Sequence, residues 1–148
     1  MKKTIKYFLL FLITIMILQL NGQNPETFKI IVNKSNSVKS ISSNDLKKVF
    51  LKKETRWADD TKIYPVDLTE SSKTRENFTK EIHEKKVSAI KAYWQKQIFT
   101  GRGVPPPEKL SEKEVLEYVE KNEGAIGYIS TRKSISKFDV KEVKVTDE

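Results

Sequence analysis

The stretch from Gly101 to Pro107, GRGVPPP, constrains this chain more than any other. Consecutive prolines fix φ and remove amide donors, so neither a helix nor an interior strand can run through Pro105, Pro106 and Pro107. Whatever precedes them must end near Gly101, and whatever follows must start afresh. The restart is written at Ser111, with Glu114 three residues on, the pair that forms a capping box at a helix N-terminus. Gly124 stops that helix. Ala125-Ile126-Gly127-Tyr128-Ile129 then reads as a buried strand, its glycine marking the close approach of another backbone or a ligand. Ala92 to Tyr128 is therefore helix, rigid loop, helix and strand.

At the other end, Lys2, Lys3 and Lys6 precede an apolar run from Tyr7 to Leu18, followed by Gln19, Asn21 and Gly22. This is the pattern of a secretory signal peptide over residues 1–22, cut near Gly22 or Gln23, and its apolar core of about a dozen residues is short for a membrane span of roughly 20. An uncleaved anchor is the alternative. Either way the globular part, residues 24–148, is expected outside the cytoplasm, in the periplasm or secreted. The chain has no cysteine, which excludes a disulfide framework and a lipid-modified cysteine after the leader. About 125 mature residues bury one core but hardly two lobes with a cleft between them.

The remaining elements follow from period and punctuation. Phe28 to Val32, FKIIV, is an interior strand. Ser43 or Asn44 caps a short helix that shows Leu46, Val49 and Phe50 on one face. Trp57, a core or lid residue, precedes the turn Ala58-Asp59-Asp60, and Lys62 to Asp67 is a strand that Pro65 places at an edge or bulge. A helix over Val87 to Phe99 turns Ile90, Trp94 and Ile98 to the core, and Val140, Val143 and Val145 form a weak last strand.

Between them, Leu68 to Arg75 is a hydroxyl-rich turn entering a helix that carries Phe78 and Ile82. Such a turn leaves backbone N–H groups unpaired at the positive end of the helix dipole, a setting for a phosphate-like oxyanion. Ser71, Ser72, Thr74 and Arg75 are the candidate ligands. Plain N-capping by Ser71 or Ser72 explains the same residues without a ligand. His83, the only histidine, stands in EIHEKK without a second histidine four residues away and reads as a surface residue. No nucleophile elbow or Walker loop is present, so the chain reads as a non-enzyme without metal or cofactor. The formal charge is +8, yet lysines mix with glutamates, as in EKEVLEYVEK, and nucleic acid is not an expected partner.

Several pieces in order carry a resemblance: S-x-x-D-L-x-x-V-F-L-x-K, R-W, I-Y-P-V-D, Y-W-x-x-x-x-F-T-G-R-G-x-P-P and G-A-I-G-Y-I. From Phe28 to Ile129 the chain resembles the phosphate ABC transporter substrate-binding proteins, of the periplasmic-binding-protein-like type 2 fold. The resemblance implies an α/β architecture, a single lobe with a central mixed β-sheet flanked by helices, in a short form complete in itself. It also implies oxyanion binding at the N-terminus of a helix opened by R-x-x-x-S-G-T. Ser72-Lys73-Thr74 stands at the S-G-T position, with Leu68 where the motif arginine would be and Lys73 in place of the glycine. Arg75, one turn away, is the available substitute.

Two functions follow. One is an exported binding protein for phosphate or a similar small anion, associated with phosphate uptake. The other is a module that kept the fold and lost the ligand, docking on a membrane transporter, porin or sensor through the rigid loop, with Arg102 and Pro105 as contact residues.

Overall fold

The run FKIIV lies in the middle of a sheet. The computed structural model describes residues 27–147, so the expected leader, 1–22, lies outside the described residues. Strand β1 (Phe28–Asn33) is flanked by β6 (Ala125–Ser130) and β7 (Val140–Thr146), antiparallel to both. The sheet is completed by β2 (Ser40–Ser42), parallel to β7, and by β3 (Tyr64–Pro65), parallel to β6, giving the order β2-β7-β1-β6-β3. Pro65 sits on an edge strand, where its missing donor breaks no interior ladder. The last strand is not weak: β7 lies between β2 and β1, and Val140 and Val143 are buried. Its short apolar pattern is compensated by neighbours on both sides.

Alternation along the strands assigns the two faces. On one, Gly127 lies opposite Ile31 and leaves room for α4 (Glu112–Lys121): a methyl group on Gly127 would lie 2.7 Å from a Val115 methyl carbon and 2.9 Å from one of Val66. The close approach expected at this glycine is thus made by side chains. The backbone approach occurs at Gly124, where a Cβ would meet the Lys62 carbonyl oxygen at 1.9 Å. On the other face, Tyr128 stacks on Phe78 of α2 (Lys73–Ile82), ring centroids 3.9 Å apart, and Phe50 of α1 (Ser43–Phe50) packs at 4.7 Å from Phe78. Burying each such ring stabilises the fold by about 1.5–3 kcal/mol.

The capping signals act as the sequence requires, with a shift of one residue at α1. Ser42 caps α1 and Ser111 caps α4, where Glu114 also accepts the Leu110 N–H at 3.1 Å. The expected strand over Lys62 to Asp67 divides at Val66. Its second part, β4 (Asp67–Leu68), leaves the main sheet to pair in parallel with β5 (Glu108–Lys109), just beyond the prolines. Helix α3 (Val87–Phe99) matches its expected span but packs on α2, so only Ile90 and Trp94 are buried, and Ile98 is 53% exposed. A helix docked on another helix buries a narrower stripe than one laid across a sheet.

His83 also departs from expectation, being only 4% exposed. It is the C-cap of α2, and its ring folds against Phe78 at 5.7 Å, edge to face. Among the described residues its Nδ1 has no hydrogen-bond partner. Burial, with Lys47 and Arg75 nearby, pushes its pKa down to about 4. No helix among the described residues is long and apolar enough to cross a membrane.

Candidate functional site

The entrance to α2 is built by the β4–β5 ladder. Thr69 donates its amide to Lys109, and the chain then turns, with Ser72 N–H bonded to the Thr69 carbonyl at 3.0 Å. Ser72 is the N-cap, in extended conformation, its Oγ accepting the Arg75 N–H at 3.3 Å while its carbonyl accepts from Glu76. The amides of Lys73 and Thr74 are left as the helix donors without an intrahelical acceptor. Ser71 is exposed, its Oγ 3.4 Å from the Thr69 hydroxyl.

Thr74 and Arg75 face inward. The Thr74 hydroxyl donates to Glu112 Oε1 at 2.8 Å, an oxygen that also accepts the Ser130 N–H at 2.8 Å, tying α2 to α4 and β6. Arg75, 4% exposed, sets its Nη2 3.2 Å from Asp67 Oδ2 and bonds through Nη1 to Glu108 and to the Leu68 carbonyl. Asp67 in turn accepts from the Tyr128 hydroxyl and the Leu68 N–H. Burial, and then the Asp67 charge, hold the Tyr128 phenol well above its usual range, so it stays protonated and donates.

The four sequence candidates are therefore brought together but divided in role. Ser71 and Ser72 stand at the helix mouth, Thr74 turns its hydroxyl inward, and Arg75 spends its two Nη atoms on two carboxylates and a carbonyl, its buried Nε having no hydrogen-bond partner among the described residues. Leu68, at the position of the missing motif arginine, is buried and serves through its backbone. Asp67, Glu108, Glu112 and Tyr128 were not legible as partners from the sequence. The available signal was a carboxylate between apolar neighbours in V-D-L, which burial obliges to find a cation.

The residues expected at a partner contact lie elsewhere. Arg102 is exposed beside a cleft between the end of α1, the start of β3 and the end of α3, where the Pro105 carbonyl accepts a hydrogen bond from Lys52 Nζ at 3.2 Å. Among the described residues no group of three or more His, Cys, Asp or Glu is placed to hold a metal ion.

A family model described as the PBP superfamily domain matches residues 26–147. No curated protein sequence matches the chain at a significant level. Solved structures similar to it include an ABC-type phosphate transport receptor from Vibrio cholerae, 24% identical with a TM-score of 0.62, over 80% of this chain and 45% of that one. A protein assigned as a phosphate ABC transporter substrate-binding protein from Clostridium perfringens, solved with bound phosphate, is 25% identical with a TM-score of 0.62, over 80% and 44%. PstS from Borrelia burgdorferi is 19% identical with a TM-score of 0.57, over 80% and 47%. The chain thus spans under half the length of these relatives, and the architecture it shares with them is the single α/β lobe with a mixed sheet.

Proposed function

This chain belongs to the PBP superfamily, and from that premise we propose that it is an exported, non-enzymatic binding lobe for phosphate or a similar oxyanion, serving phosphate uptake. The observation that carries this reading is the mouth of α2. There the Lys73 and Thr74 amides begin the helix beside Ser71 and Ser72, and these two serines line, with Lys73, Lys80, Lys85 and Lys86, a hollow of about 710 Å³. In this reading those amides and the two serine hydroxyls meet the ion, and Arg75 holds the platform rigid from beneath. The likeness to a relative solved with phosphate supports the ligand class.

An open half-site competes with water for every donor, so binding by one lobe is weak unless a second copy or a partner closes over it. Calorimetry with inorganic phosphate should show saturable heat that Ser71→Ala and Ser72→Ala both reduce. A flat titration to about 10 mM phosphate, where even a −4 kcal/mol interaction saturates, would refute the reading.

One observation favours a second reading, a module that docks on a membrane transporter, porin or sensor. The Thr74 hydroxyl and both Arg75 Nη atoms are engaged by this chain's own carboxylates, and the hollow carries Glu70, Glu76 and Glu84 among its lysines. Pull-down from envelope extracts with the wild-type protein and with Arg102→Ala distinguishes the two, since loss of one partner on Arg102→Ala belongs only to docking.

A further inference from the structure

Two helices end over the same cleft with the same turn. After α1, Lys52 N–H bonds to the Val49 carbonyl at 3.0 Å and Lys53 N–H to that of Lys48 at 2.8 Å. After α3, Gly101 N–H bonds to Ile98 at 3.0 Å and Arg102 N–H to Gln97 at 2.9 Å. Both are Schellman turns, which require a left-handed residue. At α3 that residue is Gly101, with φ of 67°, whereas at α1 it is Lys52, with φ of 53°, a conformation in which a side chain is disfavoured. The turns deliver Lys52, Lys53 and Arg102 to one hollow of about 530 Å³, and Lys62 enters from the strand side.

Glu54 is the one carboxylate lining this hollow. Among the described residues none of the four cations forms an ion pair. The Lys52 ammonium has the Pro105 carbonyl at 3.2 Å, and Lys62 Nζ sits 5.3 Å from the centre of the Tyr64 ring. The C-terminal ends of α1 and α3 supply about half a negative charge each, so with Glu54 they leave about two positive charges uncompensated. Burial, and then the Lys62 charge, lowers the Lys52 pKa. Four rings, Tyr64, Tyr93, Trp94 and Tyr118, stand among the other, largely aliphatic and proline, residues of the walls.

We propose that this cleft binds a small organic anion, a phosphorylated or carboxylated molecule whose charged group is held by Lys52, Lys62 and Arg102 while its body packs on the surrounding rings. The volume falls in the range of small-molecule sites, and the mixture of apolar wall and convergent charge is what such sites use. The inference does not rest on the α2 mouth, which lies on other elements.

Amide NMR shifts on the protein provide the test, with phenyl phosphate as probe and phenol and inorganic phosphate as controls. Phenyl phosphate is expected to shift Lys53, Tyr64 and Gly103 saturably, phenol to leave them in place, and inorganic phosphate to act there far more weakly. Lys62→Gln and Arg102→Ala, both at exposed positions, should each weaken the probe by about tenfold. Lys52→Asn, which tolerates the left-handed turn, should do the same. No saturable shift at these amides up to about 10 mM probe, or equal affinity in all three variants, would overturn the proposal. Equal affinity for inorganic phosphate would overturn the part played by the rings. Shifts at Lys73 and Thr74 report separately on the α2 mouth, so failure at one place is not failure at the other.

Discussion

The mouth of α2 and the cleft beneath α1 and α3 both collect positive charge at helix ends, and they treat it in opposite ways. At α2 the arginine is buried against Asp67 and Glu108, and Lys73 and Lys91 pair with Glu76 and Glu70 on the surface. At the cleft, four cations face one carboxylate across walls that carry four aromatic rings. A buried arginine that lacked its carboxylates would destabilise the fold by several kcal/mol, so folding itself demands those partners. Half-exposed lysines face no such demand, because water solvates them until a ligand arrives. Neutralisation therefore gives Arg75 a structural duty and leaves binding at the α2 mouth to backbone amides and serines, whereas in the cleft the unspent charge is itself the capacity to bind.

The largest test of this contrast is Arg75→Met. It leaves Asp67 buried without its cation and should cost about 3–5 kcal/mol in urea unfolding. If stability were unchanged and phosphate binding at the α2 mouth lost instead, the division between the two regions would be broken.

Next comes His83, whose pKa is lowered by its burial in the core and, after that, by the charges of Lys47 and Arg75. Its folded pKa of about 4 lies below the ordinary 6.5, so on acidification the unfolded chain takes up the proton first. Its share of stability is therefore intact above pH 6.5 and falls as the pH drops toward 4, by roughly 2 kcal/mol at pH 5. Unfolding at neutral and mildly acid pH should show this slope in the wild-type protein and a flatter one in His83→Gln.

Smaller effects sharpen the same comparison. Ser72→Ala removes the cap of α2 and should cost about 1 kcal/mol while leaving the cleft untouched. Lys52→Gly relieves the left-handed strain and should stabilise the protein by about 0.5–1 kcal/mol. The same change should weaken binding of phenyl phosphate. A variant that gained stability with no loss of binding would show that the lysine is held there for another reason.

Much of the fold was legible because its signals are local. Ser111 with Glu114, the prolines after Gly103 and the stripe of α4 each act within a few residues, and the structure uses them as written. The central position of β7, the exposure of Ile98 and the burial of His83 were not legible, because each depends on what packs against the element from elsewhere in the chain. At the α2 mouth the cap was readable from Ser72, but the inward turn of Arg75 was not. Its partners Asp67 and Glu108 come from strands paired across the proline loop.

The sequence by itself determined where elements start and stop, which faces are apolar, and that Gly101 to Pro107 must be a rigid joint, since φ restriction, capping and periodicity act over a turn or two. Only the tertiary structure decided which charges are spent and which remain free. Coulombic pairing depends on distance and burial in space, and residues as far apart along the chain as Lys52 and Arg102 acquire those only when the helices that carry them come to end over the same cleft.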